Sequence, residues 1–209
     1  MRVQLTGPDG SDRTDEILDF AKLIGLDSVA PGRYSVLLML GLFGGFKSGR
    51  QGPEKIISEI LALEGSGVST GLKAPTKFIH PPLKGLCHKH HLQDGLPSMA
   101  LNLQKGLKKF GMPLMNEWIQ EAKESGEERV FSEEHVGPLI ADIVRGNMKR
   151  LADQQALTGE WIIYAQHEGK NYYLCLGTHD MATHEDLRKQ IDAICCLEFP
   201  FLNGLLAND

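Results

Sequence analysis

Cysteine is scarce in this chain, with four residues at 87, 175, 195 and 196 and no CxxC spacing. That excludes a disulfide-stapled scaffold and a zinc-knuckle arrangement, and it fits a reducing, cytoplasmic setting. Long apolar runs are missing as well. The strongest, Val36 to Phe43, ends at Gly44 and is too short to span a bilayer, so it reads as a buried strand or a core helix. The N-terminal MRVQLTGPDGSDRTDE is polar and acidic, so no secretory signal is expected. Net positive charge is also lacking: the formal value is −5, which taken whole argues against a nucleic-acid binder. No internal repeat or low-complexity tract interrupts the 209 residues. Two site motifs are near misses. Gly41, Lys47 and Ser48 approach the phosphate-binding GxxxxGK[ST] pattern, but Phe46 stands where its second glycine belongs. The metallo-hydrolase pattern HxHxDH fails because Asp94 lies four residues after His90.

Histidine and lysine are crowded into one stretch. From Gly71 to Gly111 there are seven lysines, at 73, 77, 84, 89, 105, 108 and 109, against Asp94 alone, a local charge of +6. Within it, His80, His88, His90 and His91 fall close together beside Cys87. A basic, histidine-rich segment inside an acidic chain points to an anionic, phosphate-bearing partner such as RNA. The alternative is a solvated face that happens to carry lysines.

Hydrophobic periodicity predicts a helix-rich α+β domain. Helices are expected over 14–24, 54–63, 98–110, from Pro113 through Ala122, from Ser132 to Leu151, and from Thr183 to about Cys196. His135 and His184, at helix starts, read as structural. Residues 160–166 and 171–178 are rich in β-branched and aromatic side chains around the turn 167–170, a β-hairpin signature. The organisation expected is a single domain, 1–209. It allows a smaller N-terminal lobe, 1–70, joined by the loop 64–78 to the histidine-bearing part, 79–209.

Three functions compete for the histidines. The first is metal-independent acid–base cleavage of RNA, which needs a base, an acid and a cation for the developing phosphorane charge. His88, His90, His91, His167 and Lys170 are the candidates for that chemistry. Lys84, Lys89, Tyr172, Tyr173, Thr178 and His179 are the candidates for binding substrate, the tyrosines by stacking bases. Strand alternation predicts Tyr173, Cys175, Gly177 and His179 on one face, with Tyr172, Leu174, Leu176 and Thr178 on the other. The second is a hydrolase using zinc or another divalent metal at His88 and His90, which share a face if they lie in a strand. The third is a non-catalytic protein that binds a protein partner. A small sheet bearing His, Lys and Thr is similar in general layout to the metal-independent ribonucleases of bacterial toxin systems.

The phrases 82–90 (PLKGLCHKH), 158–163 (TGEWII) and 167–174 (HEGKNYYL) resemble a group of uncharacterised bacterial proteins. The resemblance covers roughly the C-terminal two thirds and implies a bacterial origin, and it brings no activity with it. It implies aromatic residues at positions 87 and 91, so His88 and His90 are the stronger candidates.

Overall fold

The computed structural model describes residues 5–65, 70–126, 128 and 130–207. Helices α1 (Thr14–Leu23), α2 (Leu26–Val29), α3 (Val36–Lys47) and α4 (Glu54–Leu63) precede strands β1 (Thr76–Lys77) and β2 (Cys87–His91). Helices α5 (Leu96–Phe110), α6 (Pro113–Ser125), α7 (Glu133–Ala141) and α8 (Asn147–Asp153) follow. Then come the hairpin strands β3 (Glu160–His167) and β4 (Lys170–Gly177), and helices α9 (His184–Gln190), α10 (Cys196–Glu198) and α11 (Phe201–Leu206). A π-turn, Asp142–Gly146, joins α7 to α8, and a second, Ile191–Cys195, joins α9 to α10. The class is α+β, one antiparallel sheet in the order β1-β2-β3-β4 with helices on both faces.

The run beginning at Val36 is helix rather than strand, because Ser35 caps it: its side chain accepts the Leu38 amide at 3.1 Å. The Glu198 carboxylate takes the Val36 amide at the same end, at 3.0 Å. His135 also caps, accepting the Ser132 amide on Nδ1 at 3.1 Å. The hairpin forms where expected. Glu168 and Gly169 make its two-residue turn with φ of 49° and 72°, the left-handed pair that matches the twist of the flanking strands.

Alternation along β4 is broken. Ile163 pairs with Cys175 but Tyr164 pairs with Tyr173, so Leu174 is an extra residue in a bulge. Tyr173 therefore turns into the core on the side of α1–α4, while Leu174 and Cys175 both face α9–α11. Tyr173 and Cys175 lie on opposite faces, contrary to the strict alternation the sequence suggested. The bulge also frees the Tyr173 backbone, whose amide donates to Arg33 and whose carbonyl accepts from Ser35.

Each face of the sheet carries its own core. Ile162, Tyr164, Tyr173 and Cys87 pack with Ile17, Phe20, Leu38, Leu42, Ile56 and Ile60. Trp161, Ile163, Ala165, Leu174 and Cys175 pack with Leu83, Leu86, Ile191, Cys195 and Leu202. Each fully buried Leu or Ile contributes about 1.5–3 kcal/mol, so both layers hold the sheet in place. The N-terminal stretch expected as a smaller lobe lends its helices to the first of these cores. The loop 64–78 ends in β1, and residues 66–69 lie outside the described residues. A smaller cluster of Leu72, Leu151 and Leu157 seats α8 against the chain entering β1.

β2 puts charge into this interior. Lys89 is on the α1–α4 side, its Nζ 3.3 Å from Glu59 Oε2 and donating to the Lys73 carbonyl at 2.8 Å. Both side chains are more than nine-tenths buried. Removing one partner strands the other charge, so Lys89→Met is expected to cost about 3 kcal/mol or more in urea unfolding. The double variant Lys89→Met, Glu59→Gln is expected to recover most of that loss. A single-variant loss below about 1 kcal/mol, the value of an exposed pair, would contradict the assignment.

Candidate functional site

Antiparallel pairing with β3 sorts the β2 side chains by face. Cys87, Lys89 and His91 point toward α1–α4, and His88 and His90 point to the side of Trp161 and Ile163. His88 and His90 thus lie side by side at the open end of the second core, with ring centroids 5.5 Å apart. The loop after β4 brings His179 to 5.2 Å from His90 and 4.5 Å from Trp161. Phe78 covers His88 at 4.6 Å, and Trp161 lies 4.6 Å from the same ring. His184 closes the back of the cluster, 5.4 Å from Trp161, and donates Nε2–H to the Thr178 carbonyl at 3.1 Å.

Hydrogen bonding fixes which nitrogen carries each proton. The Trp161 indole can only donate, and its Nε1–H reaches His90 Nε2 at 3.3 Å. Neutral His90 must therefore carry its proton on Nδ1, which is buried and bonded to none of the described residues. His179 is the complement. Its Nε2 lies 2.9 Å from the Gly159 carbonyl and must donate, which leaves Nδ1 of the neutral ring as a bare acceptor. The Glu160 carboxylate holds the His179 backbone amide at 2.9 Å. His88 Nδ1 is a further buried ring nitrogen without a partner. The cluster thus sets a buried, unpaired donor on His90, an exception to the rule that buried polar atoms are satisfied, beside an acceptor on the exposed ring of His179.

Gly159 makes this possible. A Cβ there would lie 1.9 Å from the His91 carbonyl oxygen, so only glycine lets the β3 entrance pass this close to β2.

Burial keeps the imidazoles neutral. It lowers His88 to about 4 and His90 to about 3, with the charges of His179 and Lys73 adding to the effect. Lys73, exposed on the loop before β1, is near enough for its charge to act on both rings.

Several sequence candidates are elsewhere. His91 is on the opposite face, lowered to about 4 by burial, with Nδ1 3.3 Å from the Leu92 carbonyl. Lys89 is buried against Glu59. His167 lies four residues beyond the Ile163 that pairs with His88, about 13 Å along the strand. There it stacks on Phe201 at 4.1 Å, and Lys170 stands opposite it at the hairpin tip. Tyr173 is fully buried and donates to Glu64 at 2.7 Å, and Tyr172 packs on Phe199 and Phe201, so neither offers a stacking platform. Lys84 is exposed on the loop whose Leu83 and Leu86 enter the second core. Thr178 is next to the cluster, its Oγ1 3.2 Å from Thr183 Oγ1 and accepting the Asp180 amide. The structure thus joins His88, His90, His179 and Thr178. It adds Trp161, Phe78 and Lys73, which sequence reasoning passed over. Lys73 stood in the sequence only as part of the basic run, and Trp161 would have emerged as the inward partner of His90 had the strand register been guessed.

Among the described residues no group of three or more His, Cys, Asp or Glu side chains is placed to hold a metal ion. None of the helices described is long and apolar enough to cross a membrane. Compared with known proteins, the chain matches no family, no curated protein and no solved structure.

The depressed imidazoles make stability depend on pH. Between about 4 and the ordinary value of 6.5 the unfolded chain binds more protons than the folded one. Stability is therefore complete above pH 7 and falls as pH drops from 6.5 toward 4. Melting temperatures across this range are expected to show that slope, and His90→Asn is expected to flatten it. A wild-type curve flat down to pH 5 would show that the rings are not held neutral.

Proposed function

We propose that this chain is a metal-independent endoribonuclease acting in the cytoplasm, with the face of His88, His90 and His179 as its reaction centre. One observation carries the reading: the Nδ1–H donor of His90 and the bare Nδ1 of His179 are on rings 5.2 Å apart, beside exposed Lys73. Cleavage through the ribose 2′-hydroxyl needs a base on that hydroxyl and a donor on the opposite side of the phosphorus. His179 Nδ1 supplies the base. His90 Nδ1–H, buried in the free chain, donates to a phosphoryl oxygen once the substrate parts the rings that cover it, and negative charge grows on that oxygen in the transition state. His88 is the acid: its ring is held neutral first by burial and then by the charges of His179 and Lys73, and a bound phosphate beside it raises its affinity for a proton. Lys73 holds the phosphate. The roles first considered for His167, Lys170, Tyr172 and Tyr173 pass to these residues on grounds of distance and burial. The +6 segment supports an anionic substrate, and within it Lys73 is near enough to Lys105 of α5 for its charge to act there.

Incubation of purified protein with total RNA in EDTA tests this. Wild type is expected to cleave, and His88→Ala and His179→Ala are each expected to lose about 10²–10⁴-fold in rate. Lys73→Ala is expected to weaken substrate binding more than turnover. No cleavage by wild type, or equal cleavage by the variants, would remove the proposal. Cleavage abolished by EDTA and restored by zinc would reassign His88 and His90 as metal ligands.

A further inference from the structure

A second recess opens at the same end of the sheet, across from the histidine face. It encloses about 250 Å³ and is lined by Arg50, His91, Gln93, Glu160, Leu176 and Thr178, among others. That is just below the range of about 300–1,000 Å³ typical of drug-sized ligands, and it suits one flat ring system rather than a whole nucleotide. Two of its walls belong to the reaction centre. Glu160 holds the His179 amide, and Thr178 immediately precedes His179. A third wall is the short loop between α3 and α4, which carries Arg50 and Gln51.

That loop is fastened in place. Asp94 accepts the Gly52 amide at 2.6 Å and pairs with Lys55, and the Asp94 amide donates to Gln51 Oε1 at 3.1 Å. Gln51 Nε2 in turn reaches the Leu92 carbonyl at 3.4 Å. Arg50 is thereby set at the rim with its side chain exposed.

The polar groups inside have a definite sense. Glu160 Oε2 is used by the His179 amide, and Oε1 bonds to none of the described residues. His91 donates Nδ1–H to the Leu92 carbonyl at 3.3 Å, so its Nε2 is a bare acceptor. Glu160 and His91 thus offer acceptors to the interior beside the Gln93 amide and the Thr178 hydroxyl, Leu176 and Gly177 supply an apolar floor, and the Arg50 guanidinium stands at the rim. Among the four RNA bases only guanine presents two adjacent donors, N1–H and N2–H, to one carboxylate, while its O6 and N7 accept from an arginine. Adenine and cytosine would each set a ring lone pair against the carboxylate, and uracil offers one donor.

We infer that this recess is a guanine-selective subsite, with the Glu160 carboxylate reading the base edge and Arg50 contacting O6, N7 or the adjoining phosphate. The inference rests on the ribonuclease reading and specifies its substrate. Glu160 then has two roles, base recognition and positioning of His179, so recognition at the recess and chemistry at the histidines share one side chain.

The test is calorimetric titration of the full chain, in EDTA, with guanosine, adenosine, cytidine and uridine 3′-monophosphates. The guanine nucleotide is expected to bind at least about tenfold more tightly than the other three, as a site built to pair with polar edges discriminates. Glu160→Gln is expected to abolish that preference, with folding checked by circular dichroism. Arg50→Ala, on an exposed side chain, is expected to weaken the guanine nucleotide several-fold, and it keeps the test decisive if Glu160→Gln unfolds. Equal affinities for the four, absence of binding, or a preference that survives both variants would overturn the subsite. RNA cleavage without preference for guanine also overturns it and leaves the nuclease standing. Selective guanine binding by a chain that cleaves no RNA supports the subsite and removes the nuclease.

Discussion

The pairing of Cys87–His91 with Glu160–Tyr164 is the constraint on which the rest of this structure depends. Because side chains alternate across a strand, one register decides which histidines meet and which are separated. A slip by one residue would send Lys89 and His91 into the aromatic cluster and put His88 and His90 among the aliphatic side chains of α1–α4. The buried Lys89–Glu59 contact guards against that slip, since the lysine's carboxylate partner stands on the α1–α4 side of the sheet. Gly159 guards it too, by admitting the His91 carbonyl at a distance that any side chain would block.

On that frame the indole of Trp161 determines the chemistry. An N–H that can only donate forces the His90 proton onto Nδ1, and the Gly159 carbonyl forces the His179 proton onto Nε2. Leaving a buried ring donor unpaired costs about 1–3 kcal/mol, a cost that a purely structural cluster would avoid by admitting a partner. The same burial holds His88 and His90 neutral in the free protein. On the ribonuclease proposal a bound phosphate would offset both costs, by accepting the free N–H and favouring protonation of the ring beside it.

Much of this was legible in the chain, and the gaps have physical causes. Period-two patterning located the hairpin, and it singled out His88 and His90 as sharing a face once they are in a strand. Amphipathic periodicity located most of the helices. It failed at α3, where Val36–Lys47 is apolar almost all round and helix and strand look alike. It failed again at Leu174, because nothing local announces a bulge, and that one residue separates Tyr173 from Cys175. His167 and Lys170 were attractive for their chemistry, yet the strand carries them about 13 Å from His88, a separation that only the register reveals. Lys73 was visible only as part of a basic run, and its place beside the imidazoles depends on the short β1 strand pairing with β2.

The central claim is that the free site holds a neutral His90 with its proton on Nδ1, ready to meet an anion. Nitrogen-15 NMR of the imidazole rings at pH 7 reads that state directly, before and after addition of an uncleavable 2′-deoxy dinucleotide. The account predicts a protonated Nδ1 and a bare Nε2 on His90 in the free protein, and a shift of the His88 ring toward imidazolium when the dinucleotide binds. A proton on His90 Nε2, or rings that ignore the dinucleotide at saturating concentration, would contradict it.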